Sequence, residues 1–336
     1  TTEATEVTEA TETTEVTETT EVTEATETAE ETEATEETEI KEAAANGVII
    51  SKKDRYEVVS AGETVALPGY SFEITGDNEP EVEWLIDDNS VAALTTSMVN
   101  GKLTEQVKTL TAGVAVLTLQ VKDNPSDKDT YYVVVKPEKA PANCTAETTY
   151  NTVSLNWAKA ADADGYTITR KVEGADTEQT IAHVDGVDAV SYKDTGVQTG
   201  NIYIYHVYAY TKYTNNGQQD YANTDTYATI KAAPQLGKAA LTSVTAEGYS
   251  SLTLKWEEVD GATGYIVYRS TDKSKVDTQI MDITNGAVSY VDTALTAGNT
   301  YYYKVQPYCV VNGKKVYGDA SGICLLYTSD AADEGL

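Results

Sequence analysis

From residue 46 onward, apolar side chains recur at every second position over short stretches, the spacing that places them on one face of a β-strand. In residues 46–137 the runs fall at 48–50, 64–67, 71–74, 82–85, 114–121 and 130–136. Turn formers separate them: Ala61-Gly62, Pro68-Gly69, Gly76-Asp77-Asn78 and Asp123-Asn124-Pro125. Further on, the alternation is written twice at a spacing of about a hundred residues. Val153, Leu155 and Trp157 return as Leu252, Leu254 and Trp256. Gly165 and Tyr166 return as Gly264 and Tyr265, Asp194 as Asp292, and Tyr203, Tyr205 and Val207 as Tyr301, Tyr303 and Val305. The pattern predicts an all-β chain of three tandem sandwiches, the last two arising by duplication. Alternation turns Tyr203, Tyr205, Val207 and Ala209 inward and leaves Ile204, His206, Tyr208 and Tyr210 outward. All three Trp are assigned to cores.

The leader, residues 1–45, obeys another rule as far as Glu39. Glu recurs at every third position from Glu3, in x-Thr-Glu triplets whose Thr column is broken once, at Ala29. A helix would stack like charges at i, i+3 and fill with β-branched Thr, and a strand would scatter Glu over both faces. With so little apolar surface nothing repays the ordering entropy, so this leader is expected to be disordered. Repulsion along it favours extension, and three residues per turn in polyproline II would gather the Glu into one ridge. It reads either as a stalk carrying Thr hydroxyls for O-glycosylation or as an inert soluble linker. Lys136-Pro137-Glu138-Lys139-Ala140-Pro141 and Ala232-Ala233-Pro234-Gln235-Leu236-Gly237 are the links between modules, giving boundaries at 46–137, 138–235 and 236–323.

Several words of the sequence match known families. SLNW and TLKW, DGYTITR and TGYIVYR, YKDTGVQTGNIYIYHVYAY and YVDTALTAGNTYYYKVQPY occur in the same order in both repeats. Together they resemble fibronectin type III domains. That resemblance implies a tyrosine corner at Tyr203 and Tyr301, although the Pro of the family's L-x-P-G-x-x-Y loop is absent, Thr199 and Ala297 preceding Gly200 and Gly298. Trp84, Asp88, Asn89, Ser90, Val91, Ala92, Ala112 and Gly113 lie in stretches similar to bacterial Ig-like domains of the group 2 type, with a longer insertion over 95–108 than the family's short link. The resemblance implies a noncatalytic surface or adhesion module. Residues 324–333 resemble the translation of a transposon-end sequencing adapter, which implies that 324–336 are foreign and that the native frame is cut inside the last strand. The chain also starts with Thr and is expected to be a fragment.

Charge narrows the partners. The formal net charge is −30, and residues 1–42 hold 16 Glu against one Lys. With no basic patch, nucleic acid and anionic membrane surfaces are excluded as partners, and no apolar run approaches membrane-spanning length. Three Cys, at 144, 309 and 324, form no disulfide framework. The two histidines, His183 and His206, have no nucleophile or orienting carboxylate at a recognisable spacing. Asp162/Asp164, Asp127/Asp129 and Asp87/Asp88 sit in turns that favour Asp for its own backbone hydrogen bonds, short of the six or more oxygens calcium needs. No cofactor and no catalysis are expected.

Tyr is abundant, at 24 residues. Tyr208, Tyr210 and Tyr213 in one repeat and Tyr268, Tyr302 and Tyr308 in the other are the candidate ligand contacts, set to line the exposed sheet faces. A cell-wall polysaccharide or a host or surface protein would be the partner. The same aromatics would equally stabilise a sheet with no ligand. The expected role is that of monomeric, extracellular or wall-attached spacer or adhesion modules. The alternative is accessory modules of a secreted carbohydrate-active or wall-remodelling enzyme.

Overall fold

The computed structural model describes residues 47–50, 56–74, 79–247, 250–293 and 295–328. The leader expected to be disordered and the end of the adapter-like segment lie outside these residues. Every described element is a strand.

The first sandwich contains β1 (Gly47–Ile50), β2 (Tyr56–Val59), β3 (Thr64–Ala66), β4 (Ser71–Ile74), β5 (Val82–Ile86), β6 (Ala92–Val99), β7 (Lys102–Thr109), β8 (Gly113–Val121) and β9 (Asn124–Val135). One sheet runs β2-β9-β8-β5, with β2 parallel to β9; the facing sheet runs β3-β7-β6, and β1 pairs with β4. Strict alternation on β8 buries Ala115, Leu117, Leu119 and Val121. Ala115 and Leu117 pack with Val59, Val65, Ala92, Val107, Val133 and Val135 from the neighbouring strands. Trp84 is only half-buried at the margin of this core, its ring 6.4 Å from Tyr70. The insertion over 95–108 is the far part of a long hairpin, β6–β7, closed by Asn100 and Gly101 at φ 51° and 79°. Positive φ at both central residues gives a turn whose twist matches its strands, which is why Asn-Gly stands there.

The second sandwich has β10 (Ala142–Thr148), β11 (Val153–Ala158), β12 (Gly165–Val172), β13 (Gln179–Asp185), β14 (Ser191–Asp194), β15 (Tyr203–Asn215), β16 (Gln218–Asn223) and β17 (Ala228–Ala232). The third repeats them as β18 (Leu241–Ala246), β19 (Leu252–Trp256), β20 (Gly264–Ser270), β21 (Thr278–Ile283), β22 (Ser289–Asp292), β23 (Thr300–Val311), β24 (Lys314–Tyr317) and β25 (Cys324–Tyr327). In each, a three-stranded sheet (β10-β11-β14 or β18-β19-β22) faces a five-stranded one (β13-β12-β15-β16 with β17 on β15, or β21-β20-β23-β24 with β25 on β23). Even the irregularities recur, at Ile168/Thr169 and Val267/Tyr268. The inward residues fill two separate cores around Trp157 and Trp256, whose rings meet Tyr166 at 5.2 Å and Tyr265 at 5.4 Å.

Residues 324–327 do form a strand, in register with Tyr303 through Thr300. Leu326 takes the core-facing place that Ala232 holds in the other copy, while Leu325 and Tyr327 face solvent. Ladder pairing asks only for alternation at those positions.

The modules touch at both junctions. Thr211 Oγ1 donates a buried hydrogen bond of 2.7 Å to Val135 O, Lys136 pairs with Asp225, and Tyr56 lies 5.8 Å from Tyr213. Between the second and third sandwiches, Tyr150 lies so close over Gly261 that a Cβ there would come within 2.3 Å of its ring.

Candidate functional site

Two of the six candidate tyrosines are not on the surface at all. Tyr210 and Tyr308 are 0% and 2% exposed. Each stands directly across the ladder from a glycine, Gly165 or Gly264, and lies over it; a Cβ on either glycine would come within 2.4 Å of the phenolic oxygen. The slot left by the missing side chain swallows the ring, so a residue on the outward face of its strand is nonetheless covered. Tyr210 donates to Asp185 Oδ1 at 2.6 Å and Tyr308 to Asp282 Oδ1 at 2.9 Å, and Lys212 and Lys315 close the same carboxylates. The Tyr210 hydrogen bond, then Lys212, holds Asp185 below the usual aspartate range; Lys315 first, and then Tyr308, do so for Asp282. These clamps tie β15 to β13 and β23 to β21.

Tyr213 is committed elsewhere. Its ring reaches Tyr56 of the first sandwich, its hydroxyl donates to Asp220 at 3.0 Å, and burial together with that carboxylate pushes it up to about 12. Tyr208, Tyr268 and Tyr302 remain partly exposed on the outer faces. Tyr268 donates to Gln306 Oε1 at 3.0 Å under the Lys304 ammonium, 4.9 Å from its ring. The six therefore form no single platform.

The densest outer cluster was only half legible. Tyr208 and exposed Tyr227 lie 5.1 Å apart, and His206 sits 4.2 Å from Tyr227. His206, expected outside, is 8% exposed. Glu178, from the loop before β13, folds back to bond its Nδ1 at 2.6 Å and also accepts from Thr169 Oγ1. Burial opposes ionisation of Glu178, but the Thr169 and His206 hydrogen bonds outweigh it and hold the carboxyl below its usual range. Nothing in the spacing of Glu178 and His206 announces this contact.

The repeated Asp194 and Asp292 are likewise structural. Arg170 Nη1 meets Asp194 Oδ2 at 2.7 Å and Tyr205 donates to the same oxygen at 2.8 Å; Arg269, Asp292 and Tyr303 repeat this at 2.9 and 3.0 Å. Burial first, then the carboxylate, drives the Tyr205 and Tyr303 hydroxyls far upward. Among the described residues no group of three or more His, Cys, Asp or Glu could hold a metal ion, and no helix is long and apolar enough to cross a membrane.

The corner tyrosines settle the architecture. Tyr203 OH accepts from Gln198 N at 2.9 Å and Tyr301 OH from Thr296 N at 3.0 Å, each five residues upstream, in sandwiches of three against five strands. The last two sandwiches thus carry the corner contact that their resemblance to fibronectin type III domains implies. No family model matches the chain. It is 27% identical to Exoglucanase B of Cellulomonas fimi over 231 residues, 65% of this chain and 19% of that protein. The chain thus spans about a fifth of that relative's length. Solved structures similar to it include a two-domain fibronectin type III segment of chicken tenascin, at 17% identity over 56% of this chain and 100% of that one, TM-score 0.38. The chicken CNTN1 FN1–FN3 domains align at 14% identity over 84% of this chain and 99% of that one, TM-score 0.27.

Proposed function

We propose that residues 46–323 are noncatalytic spacer modules of an extracellular or wall-attached bacterial protein, the first a bacterial Ig-like domain and the other two fibronectin type III domains. The observation that carries this reading is the fate of the polar and aromatic side chains. Arg170, Asp194 and Tyr205, their counterparts Arg269, Asp292 and Tyr303, and the Tyr210 and Tyr308 clamps are all consumed in holding strands together. Such a segment works by geometry: it sets the distance and angle at which a neighbouring domain or partner is held. Contacts at Thr211–Val135 and Tyr150–Gly261 restrict each junction. The likeness to Exoglucanase B favours a second form of this reading, in which the spacer serves a polysaccharide-degrading enzyme.

Single-pair distance measurements between labels on the first and third sandwiches test the spacer role. One narrow distribution, broadened by Gly261→Ser, is expected. A distribution as broad as that of a freely jointed chain in the unaltered protein contradicts it. For the partner, the whole chain would be mixed with insoluble cellulose and with wall polysaccharide. Retention that falls on Tyr208→Ala or Tyr227→Ala would place the contact on the outer cluster, and equal retention of both variants would remove that cluster from the account.

A further inference from the structure

The β6–β7 hairpin is longer than its sandwich needs. Ala92, Leu94 and Val107 face the core, and the same face continues through the cross-strand pair Thr96/Glu105 to the pair Met98/Leu103. There the facing sheet has ended, and Met98 and Leu103 are 67% and 64% exposed. β6 is also the edge of its sheet: among the described residues it pairs with β7 alone. Its eight residues, Ala-Ala-Leu-Thr-Thr-Ser-Met-Val, carry neither a charge nor a proline. Exposed edges in soluble proteins usually carry such residues to block strand addition. Here β10, β13, β16 and β21 do so with Glu147, Asp185, Asp220 and Asp282. β18 also lacks charge.

We propose that β6 is a self-association edge, on which a second copy of this chain adds its own β6 antiparallel across a two-fold axis. The two-residue turn makes Val99 and Lys102 a hydrogen-bonded pair, so Ser97, Thr95 and Ala93 also spend their N–H and C=O groups on β7. Leu94, Thr96 and Met98 point theirs outward. An axis through Thr96 pairs these groups with themselves: Thr96 faces Thr96 of the copy, and Met98 faces Leu94 in both directions. Each bare Met98 then gains an apolar neighbour, on the face where the facing sheet no longer covers it. The opposite face would pair Ser97 with Thr95 and Val99 with Ala93. No charge meets a like charge on the joined strands. A symmetric contact of this kind closes as a dimer.

Sedimentation velocity on the whole chain, from micromolar to submillimolar concentration, tests this. A dimer is expected to grow with concentration and to strengthen with added salt, because screening weakens the repulsion between two copies of net charge −30. Thr96→Pro removes an outward N–H that β7 does not use, and should weaken the dimer at least about tenfold with the melting curve unchanged. If Pro disturbs the hairpin, Thr96→Lys keeps the ladder and sets like charges opposite each other on the axis, with the same loss expected. Thr245→Lys on β18, another uncharged edge, should leave the dimer intact. A wild type that stays monomeric throughout, a dimer that survives both Thr96 variants, or one abolished by Thr245→Lys would overturn the proposal.

Discussion

The second and third sandwiches, set side by side, differ in an instructive way. Their interiors agree almost atom for atom: the Trp-Tyr contact, the corner hydrogen bond, the Arg-Asp-Tyr triad and the Gly-Tyr-Asp-Lys clamp all recur. Their outer faces do not. Where the second carries His206, Glu178, Tyr208 and Tyr227, the third carries Gln306, Tyr268 and Lys304. Duplication has kept what closes a sandwich and let drift what a partner could touch.

The largest expected break of this symmetry comes from the cores. Trp157→Ala or Trp256→Ala removes a buried indole and should cost about 3 to 5 kcal/mol, a large part of a typical domain's roughly 5 to 15 kcal/mol. Calorimetry should show one transition lost in each variant, with similar magnitude in the two modules. A native-like melting curve at 37 °C for Trp256→Ala would refute the core assignment. Next come Asp194→Ala and Asp292→Ala, which strand a partly buried guanidinium and a buried phenol and should cost about 3 kcal/mol each. Chemical denaturation of the two variants should give matched losses.

Gly165→Ala and Gly264→Ala should each cost about 1 to 3 kcal/mol by overpacking against Tyr210 or Tyr308. Carbonyl oxygens of Val184 and Ile283 also crowd that Cβ, at 2.3 and 2.4 Å. Pairing Gly165→Ala with Tyr210→Ala should therefore recover part of the loss but not all of it. Strictly additive losses in the double-mutant cycle would show that ring and glycine do not compete for one slot.

The pH response should be smaller, with an acid limb and an alkaline limb in each module. Asp185 and Asp282 have lowered values when folded, so their contribution is complete above the ordinary aspartate range and is lost as pH falls through the folded-state values. Buried phenols act at the other end. Tyr205, Tyr210 and Tyr303 are raised when folded, so stability is complete below about 10, the ordinary tyrosine value, and falls as pH rises beyond it. Thermal melts across pH should fall at both extremes, and Asp185→Asn should flatten the acid limb of the second module alone.

Alternation and repetition made much of this fold legible. A Trp followed by alternating Tyr and Val on a strand bounded by Gly can satisfy its apolar face in few ways, and the duplication supplied an internal check. What alternation cannot give is cover. Tyr210 and Tyr308 read as outward and are buried because Gly165 and Gly264 stand across the ladder from them, a fact of register rather than of sequence distance. His206 is hidden by Glu178, which arrives from a loop. The β6–β7 hairpin had a visible signal, Asn100-Gly101 between two polar stretches, but too few apolar residues at 95–106 to declare two strands. Of the candidate contacts, Tyr208, Tyr268 and Tyr302 lie where the pattern put them, and Tyr213 is occupied at a junction that no single-module pattern describes.

The central claim is that the duplicated Trp and Tyr fill two equivalent interiors. Fluorescence quenching tests it most directly, in a Trp84→Phe background where only Trp157 and Trp256 emit. Blue-shifted emission resistant to acrylamide, with equal protection when each remaining Trp is observed alone, is the expected result. Red-shifted, readily quenched emission from either indole would mean that its ring lines an open cavity, and would contradict the account.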